Sequence, residues 1–514
     1  MRLPLSTYDH NSCQVPRSGV FGADEETGMS EHFDVLIVGA GISGIGSAHH
    51  LSQQHPEKSF AILEAHESFG GTWLIHTYPG IRSDSDLFTF GYRFKPWAGP
   101  PIASGQEILT YLREVIDESG LGEKIRYGRR VKSASWSSTK KIWTVEVANA
   151  ATGAVETMTT NFLWMCSGYY RHDAGYRPDW PGLETYQGRV VHPQSWPADL
   201  DLSDKRVIVI GSGATAATIV PSIAGRCAHV TMLQRSPTYF YIDSNRNELA
   251  DTLRSLEVDP AWIHEIVRRK ILHDQKLLTD LALGFPDEVK AHLIDGVRAQ
   301  VGPEFDVATH FTPRYAPWQQ RIAFVPDGDL FKAVKSGKVD IVTDHIDRFT
   351  GRGVVLKSGR QLEADVIITA TGFNLAPLGD VALDVDGEPV TPDRHVTWRG
   401  MMLSDVPNMV WVFGYFRASW TLRVDLLGDF VCRLLTYMDE RGVRSVVPRL
   451  PEGAQMTLQS WSEGSQFAPG YLQRGAPLLP KRGEGPEWTH TQDYWTEQDE
   501  LPRLDFAQAP LRFA

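Results

Sequence analysis

Apolar runs and polar breaks divide the chain into two halves built on one plan. Phe33 to Val38 is a nearly continuous apolar run, the pattern of a strand buried on both faces. It runs into Gly39-Ala-Gly-Ile-Ser-Gly44, and the pattern then predicts a helix to about Gln54 and a strand from Ser59 to Leu63. Lys132 to Ala148 alternates around Trp136, Trp143, Val145 and Val147, which predicts antiparallel strands, and Phe162 to Cys166 is a short apolar strand closing on Ser167-Gly168. The second half repeats this order. Arg206 to Ile210 enters Gly211, Gly213 and Ala216; His229 to Gln234 follows; Val354–Leu356 and Val366–Thr369 close on Ala370-Thr-Gly372.

Between Asn245 and about Asp306 the period turns helical. Ile263, Ile266, Val267 and Ile271 are expected on one face, and Val289, Leu293 and Val297 on another. Met401 to Met438 is apolar and aromatic, with a helix predicted from Leu426 to Tyr437. The Pro-, Gly- and Trp-rich tail after Pro451 is expected to wrap the surface.

Each glycine turn follows a strand and opens a helix, the context a dinucleotide fingerprint needs. The first two glycines allow a tight turn and close approach of a diphosphate, and a small third residue lets the helix pack against its strand. Glu64 lies twenty residues past Gly44, where an acid can take a ribose hydroxyl. In the second half the corresponding position, nineteen past Ala216, is Arg235, followed by Ser236. A cation there suits a 2′-phosphate, so the first site reads as FAD and the second as NADPH. The expected fold is α/β, with two Rossmann-like domains. Residues 1–28 are an extension, 29–170 and 362–514 form a discontinuous FAD domain, and 171–361 form an NADPH domain with a helical insert at 245–306.

Composition narrows the partners. A net charge of −12 excludes a general nucleic-acid-binding surface. The four cysteines form no C-x-x-C pair, which points to a reducing, cytoplasmic setting, no metal site and no disulfide-reductase chemistry. No run of about 18 apolar residues suggests a transmembrane span, and nothing in the sequence fixes an oligomeric state.

Two longer patterns carry a family likeness. Tyr186-x-Gly188-x-x-x-His192-x-x-x-Trp196-Pro197 resembles the fingerprint of type I Baeyer–Villiger monooxygenases, with Tyr for its first Phe. The loop from Gly70 to Asp84, containing Gly71, Trp73, Tyr78-Pro-Gly and Asp84, is similar to that family's second fingerprint at every specified position. Within the family the chain looks nearest to the ethionamide-activating subgroup. The resemblance implies that NADPH reduces FAD, that O2 is trapped as a C4a-peroxyflavin, and that one oxygen enters a ketone or a thioether. It makes Arg321 the catalytic cation, Asp84 its carboxylate partner, and His192 with Trp196 the coupling between domains. Where the family commonly has Lys before that Arg, this chain has Gln320. A related flavin monooxygenase restricted to soft N and S nucleophiles is the alternative.

Overall fold

The computed structural model describes residues 30–514 except 452, 454, 455, 462 and 464–466, so the expected extension at 1–28 lies outside the described residues. Glu31–Val38 is central to a nine-stranded sheet, paired in parallel with Phe60–Leu63 on one side and Val155–Met165 on the other. Arg129–Ser137, Ile142–Asn149 and Val155–Met165 form an antiparallel meander. The expected short strand at 162–166 is thus the end of an eleven-residue strand. Late segments return to this sheet: Ala382–Val385 pairs with Arg129–Ser137, and Met409–Trp411 with Val155–Met165. The first domain is therefore built from both ends of the described chain.

The second sheet has five parallel strands in the order Val339–Thr343, His229–Gln234, Arg206–Ile210, Val366–Thr369, Arg189–Val191. Val366–Thr369 pairs directly with Arg206–Ile210, so a boundary at 361 is too early and the second domain runs on to Gly372. In both sheets the strand that enters the glycine turn has its successor on one side and a later strand on the other. Crevices for ligands open at such switch points. The chain crosses between the sheets twice, and the two crossings, Tyr170–Gly175 and Phe373–Leu375, pair as an antiparallel ribbon.

The insert contains the helices Glu248–Ser255, Pro260–Gly284 and Pro286–Val301. Val289, Leu293 and Val297 are buried as expected. Of the other predicted face, Ile263 and Val267 are buried, whereas Ile266 is exposed at 39%. These helices do not belong to the second domain alone. Arg268, 4% exposed, donates to the carbonyls of Phe88 and Gly91 at 2.8 and 2.9 Å, fastening the insert to the first domain.

The late helix is longer than expected, Trp420–Arg441, and most of its residues are buried. It packs on Ile42–Gln54, the helix that begins at the first glycine turn. There His50 bonds Asp425 at 3.0 Å and lies 3.3 Å from Asp429. Burial presses the His50 pKa down, but the two carboxylates outweigh it and raise it to about 9. The tail is more than a wrapping: Trp461, Phe467, Leu472 and Trp488 are buried core residues. No helix among the described residues is long and apolar enough to cross a membrane.

Candidate active site

At the first turn, Gly39 has φ +102, and a Cβ there would stand 2.7 Å from the Cys166 carbonyl. Gly44 is tighter still: its Cβ would lie 1.8 Å from the Gly39 carbonyl. Glu64, 4% exposed, accepts from the Ala40 amide at 2.7 Å and from the His66 amide at 2.9 Å. Its carboxylate thus holds the turn, while the residue also lines the cavity above it. At the second turn, Gly211 has φ +139 and its Cβ would meet the Ala370 carbonyl at 2.3 Å. Ala216 is fully buried against the strand. Arg235 and Ser236 are exposed, and the Ser212 hydroxyl donates to the Ser236 carbonyl at 3.0 Å, tying their loop to the turn.

A cavity of about 550 Å³ runs from one turn to the other. Both helices that open on it, Ile42–Gln54 and Ala214–Ala224, start at glycines and have no side-chain cap, whereas Ser104 and Asn247 cap other helices. Uncapped N–H groups at a glycine-lined helix end suit a phosphate. Ser167 Oγ and His76 Nε2 are buried without a hydrogen-bond partner among the described residues, and both residues line the cavity. His76 Nδ1 donates to the Thr72 carbonyl, so its Nε2 is left as an acceptor. Bare backbone, free helix ends and orphaned polar atoms fit two dinucleotides.

The loop from 70 to 84 ties the two turns together. The Gly70 amide donates to the Ala40 carbonyl at 2.9 Å, and a Cβ on Gly71 would lie 3.2 Å from Gly41 Cα. Trp73 lines the cavity and stands edge-on to Phe90. Tyr78 is buried, its hydroxyl meets Thr215 of the second turn, and burial pushes its pKa up to about 12. At Gly80 the loop comes so close to the second-turn helix that a Cβ would overlap Ser222 Oγ. Arg82 pairs with Asp329 at 2.5 Å.

Asp84, where this loop ends, meets Arg321. Arg321 Nη2 donates to Asp84 Oδ1 at 2.7 Å, and Nε lies 2.5 Å from Oδ2, a two-pronged contact. The segment carrying Arg321 is anchored on the second domain, where the Tyr239 hydroxyl donates to the Tyr315 carbonyl at 2.6 Å. The Arg321 side chain is 42% accessible, but it lines the cavity, so what it shows faces the enclosed space. Burial presses its pKa down; the charge and hydrogen bond of Asp84 reverse this and raise it. The result is a permanent cation over a cavity.

His192 lies on the ribbon between the domains. Its Nδ1 accepts from the Gln194 amide at 3.2 Å, which leaves Nε2 to donate to the Gly372 carbonyl at 3.2 Å, and its ring fills the space a Cβ on Gly175 would need. Burial lowers its pKa, in keeping with a neutral ring. Trp196 packs against the second-domain core, in a cluster that also takes in Tyr78 of the loop from 70 to 84. Arg423 is fully buried with Glu497 and donates to the Gly400 and Phe413 carbonyls.

Sequence reading missed an aromatic wall. Tyr169, Tyr170, Trp420 and Tyr471 line the cavity. Trp420 stacks on Tyr169 at 5.0 Å and donates to Ser43 Oγ at 2.8 Å; the Tyr169 hydroxyl donates to that of Tyr170 at 2.7 Å. Burial raises the pKa of all three tyrosines, so they are neutral phenols beside Arg321. Tyr169-Tyr170 directly follow Ser167-Gly168 at the strand's carboxyl end, a usable signal.

A molecule with two dinucleotide turns facing one cavity is a two-nucleotide flavoprotein oxidoreductase in architecture. The family model described as "Pyridine nucleotide-disulphide oxidoreductase" matches residues 33–307. The FAD-containing monooxygenase EthA of Mycobacterium tuberculosis is 44% identical over 488 residues, covering 95% of this chain and 98% of that protein. The probable FAD-binding monooxygenase AlmA of an Acinetobacter species is 44% identical over 487 residues, covering 94% and 97%. Among solved structures, oxidized steroid monooxygenase bound to NADP superposes with a TM-score of 0.74 at 22% identity, covering 94% of this chain and 99% of that one. Cyclohexanone monooxygenase from Rhodococcus sp. Phi1 bound to NADP+ gives 0.74 at 19%, with the same coverage. At those identities the structures establish the fold. The sequence relatives establish more: the chain belongs to the FAD-containing monooxygenases.

Proposed function

We propose that this monooxygenase holds FAD at Gly39–Gly44 and NADPH at Gly211–Ala216, and inserts one oxygen atom from O2 into ketones, giving esters or lactones, and into thioethers, giving sulfoxides. The observation that carries the ketone reading is the Arg321–Asp84 pair, set into the cavity between the two turns. Bound, NADPH supplies hydride and FAD supplies the centre that accepts it and activates O2.

The residues supply the rest. Glu64 holds the first turn, and the bare helix ends bind the diphosphates. Gly71, Trp73 and Tyr78 close the cavity against water, which strengthens electrostatics inside it. Arg321 stabilises negative charge as it develops on the attacked carbonyl oxygen, an effect on the scale of about 3–4 kcal/mol for one preorganised donor. Asp84 fixes the plane of the guanidinium and balances its charge between turnovers. His192, bonded to Gly372 and packed on Gly175, couples the domains through the ribbon rather than by proton transfer.

The test is incubation of the flavin-loaded protein with NADPH and labelled O2, with one ketone and one thioether offered separately. Ester and sulfoxide each carrying one labelled atom support the reading. Sulfoxide without ester would reduce it to a soft-nucleophile monooxygenase.

A further inference from the structure

The short helix Gly470–Gly475 belongs to the tail of the first domain but lies on the ribbon strand Phe373–Leu375, where a Cβ on Gly475 would run into the Leu375 side chain. From it Arg474 reaches back toward the second domain. Its guanidinium carbon stands 3.4 Å from the centre of the Tyr176 ring, Nη2 is 3.4 Å from the Phe373 carbonyl, and Nη2 lies 4.0 Å from where a Cβ on Gly372 would be. Gly372, Pro469 and Tyr471 all line the cavity, as do Gly213 and Thr215 of the second turn, so Arg474 sits at the rim of that stretch.

Two further facts give this placement a meaning. Burial is the main cause that lowers the Arg474 pKa; the Tyr176 phenol opposes it, and the charge of Arg235 adds to the lowering. Neither arginine is in an ion pair with a carboxylate of the described residues, in a chain where 63 acidic residues outnumber 51 basic ones. Solvated surface arginines spread apart or pair with carboxylates. A guanidinium held over a tyrosine ring at the cavity rim, with no carboxylate partner among the described residues and a second arginine's charge bearing on it, is a ready place for an anion.

We infer that Arg474 is a second cation of the nicotinamide-nucleotide site, reaching across from the first domain to bind a phosphate of the dinucleotide together with Arg235. This rests on the second turn being the NADPH site. It would make nucleotide affinity depend on how the two domains are docked, because the two arginines come from different domains.

The test reads binding, not turnover. Calorimetric titrations with NADP+, NAD+ and adenosine 2′,5′-bisphosphate are run on the flavin-loaded parent, Arg474→Ala, Arg474→Lys and Arg235→Ala. Arg474→Ala is expected to weaken NADP+ about 5- to 30-fold, the lower range for a charge-assisted contact at a partly exposed site, with flavin content and Tm unchanged. Lys should recover part of the loss as a point charge. Loss confined to NADP+ and the bisphosphate places Arg474 on the 2′-phosphate; equal loss with NAD+ places it on the bridging diphosphate. Both support the inference. If Arg474→Ala unfolds, Arg474→Gln and Arg474→Lys decide: Gln weak with Lys stronger supports it, and both at parental affinity overturn it. Parental affinity of Arg474→Ala for all three ligands, while Arg235→Ala weakens NADP+, overturns the inference and leaves the second site standing. A parent that binds none of the three would instead overturn the reading of that site.

Discussion

The two glycine turns share a strand, a crossing carbonyl and an uncapped helix, yet one is roofed and the other open. Over the first, Gly70 is hydrogen-bonded to Ala40 and Gly71 stands almost on Gly41. Over the second, a Cβ on Gly213 would meet nothing within 4 Å. The residues proposed to select each nucleotide differ in the same sense: Glu64 is buried and bonded to its own turn, whereas Arg235 is exposed. With the nucleotides placed as proposed, the roof of backbone would retain its ligand and the open turn would let its ligand exchange. This is what an enzyme needs when one nucleotide stays as the resident oxidant and the other arrives as a consumable. The same loop then reaches the second turn and its helix through Tyr78 and Gly80, and the second domain again through Arg82 on Asp329, so the roof of one site is a wall of the other.

The largest test of this contrast is a paired alanine substitution. Gly44→Ala places a methyl 1.8 Å from the Gly39 carbonyl, a backbone clash at the upper end of the roughly 1–3 kcal/mol usual for overpacking. It is expected to give a colourless or unfolded protein. Gly213→Ala, with a β-region φ of −77 and open space, should keep its flavin and its Tm and lose nucleotide affinity alone. Absorbance at the flavin band and thermal melts of the two variants check this; equal flavin loss in both would erase the distinction.

A smaller effect is expected at Arg235. Arg235→Ala should raise the Michaelis constant for NADPH about ten- to a hundredfold and leave that for NADH nearly unchanged, since one charge-assisted contact is worth roughly 1.5–3 kcal/mol. Equal effects on both cofactors would remove Arg235 from the 2′-phosphate. Smaller still is a pH effect confined to the first domain. The His50 pKa is raised to about 9 by Asp425 and Asp429, above the roughly 6.5 of an unfolded chain. Its stabilisation, on the order of 1–3 kcal/mol, is complete below pH 6.5 and fades as pH rises through 9. Melts of the parent against His50→Gln should converge over that window, with the difference largest at pH 6.

Strands and turns were legible because their signals are local. The continuous runs at 33–38 and 206–210 end in glycines whose positive φ other residues rarely adopt, and the observed strands match. The irregular loop at 70–84 could be recognised as functional, but its reach to Ser222 and Asp329 is a contact across distant sequence that no window shows. Ile266 misled because the buried stripe of its helix runs through Ile263, His264, Val267 and Arg268, two of them polar, and Ile266 lies off that stripe. Trp461 and Trp488 were read as surface for the opposite reason: Pro and Gly around them hide buried side chains in irregular backbone.

The measurement that bears most directly on the site is product formed per NADPH consumed by Arg321→Ala, with Asp84→Ala beside it. With the cation gone from the cavity, ester formation should disappear while the protein stays yellow and NADPH oxidation continues, its electrons leaving as hydrogen peroxide. Asp84→Ala, which keeps the charge but frees its orientation, should lose ester yield in the same direction and less severely, and sulfoxide yield should suffer less in both. Ester made by Arg321→Ala at the parental rate would contradict the account and place the oxygenating chemistry elsewhere in the molecule.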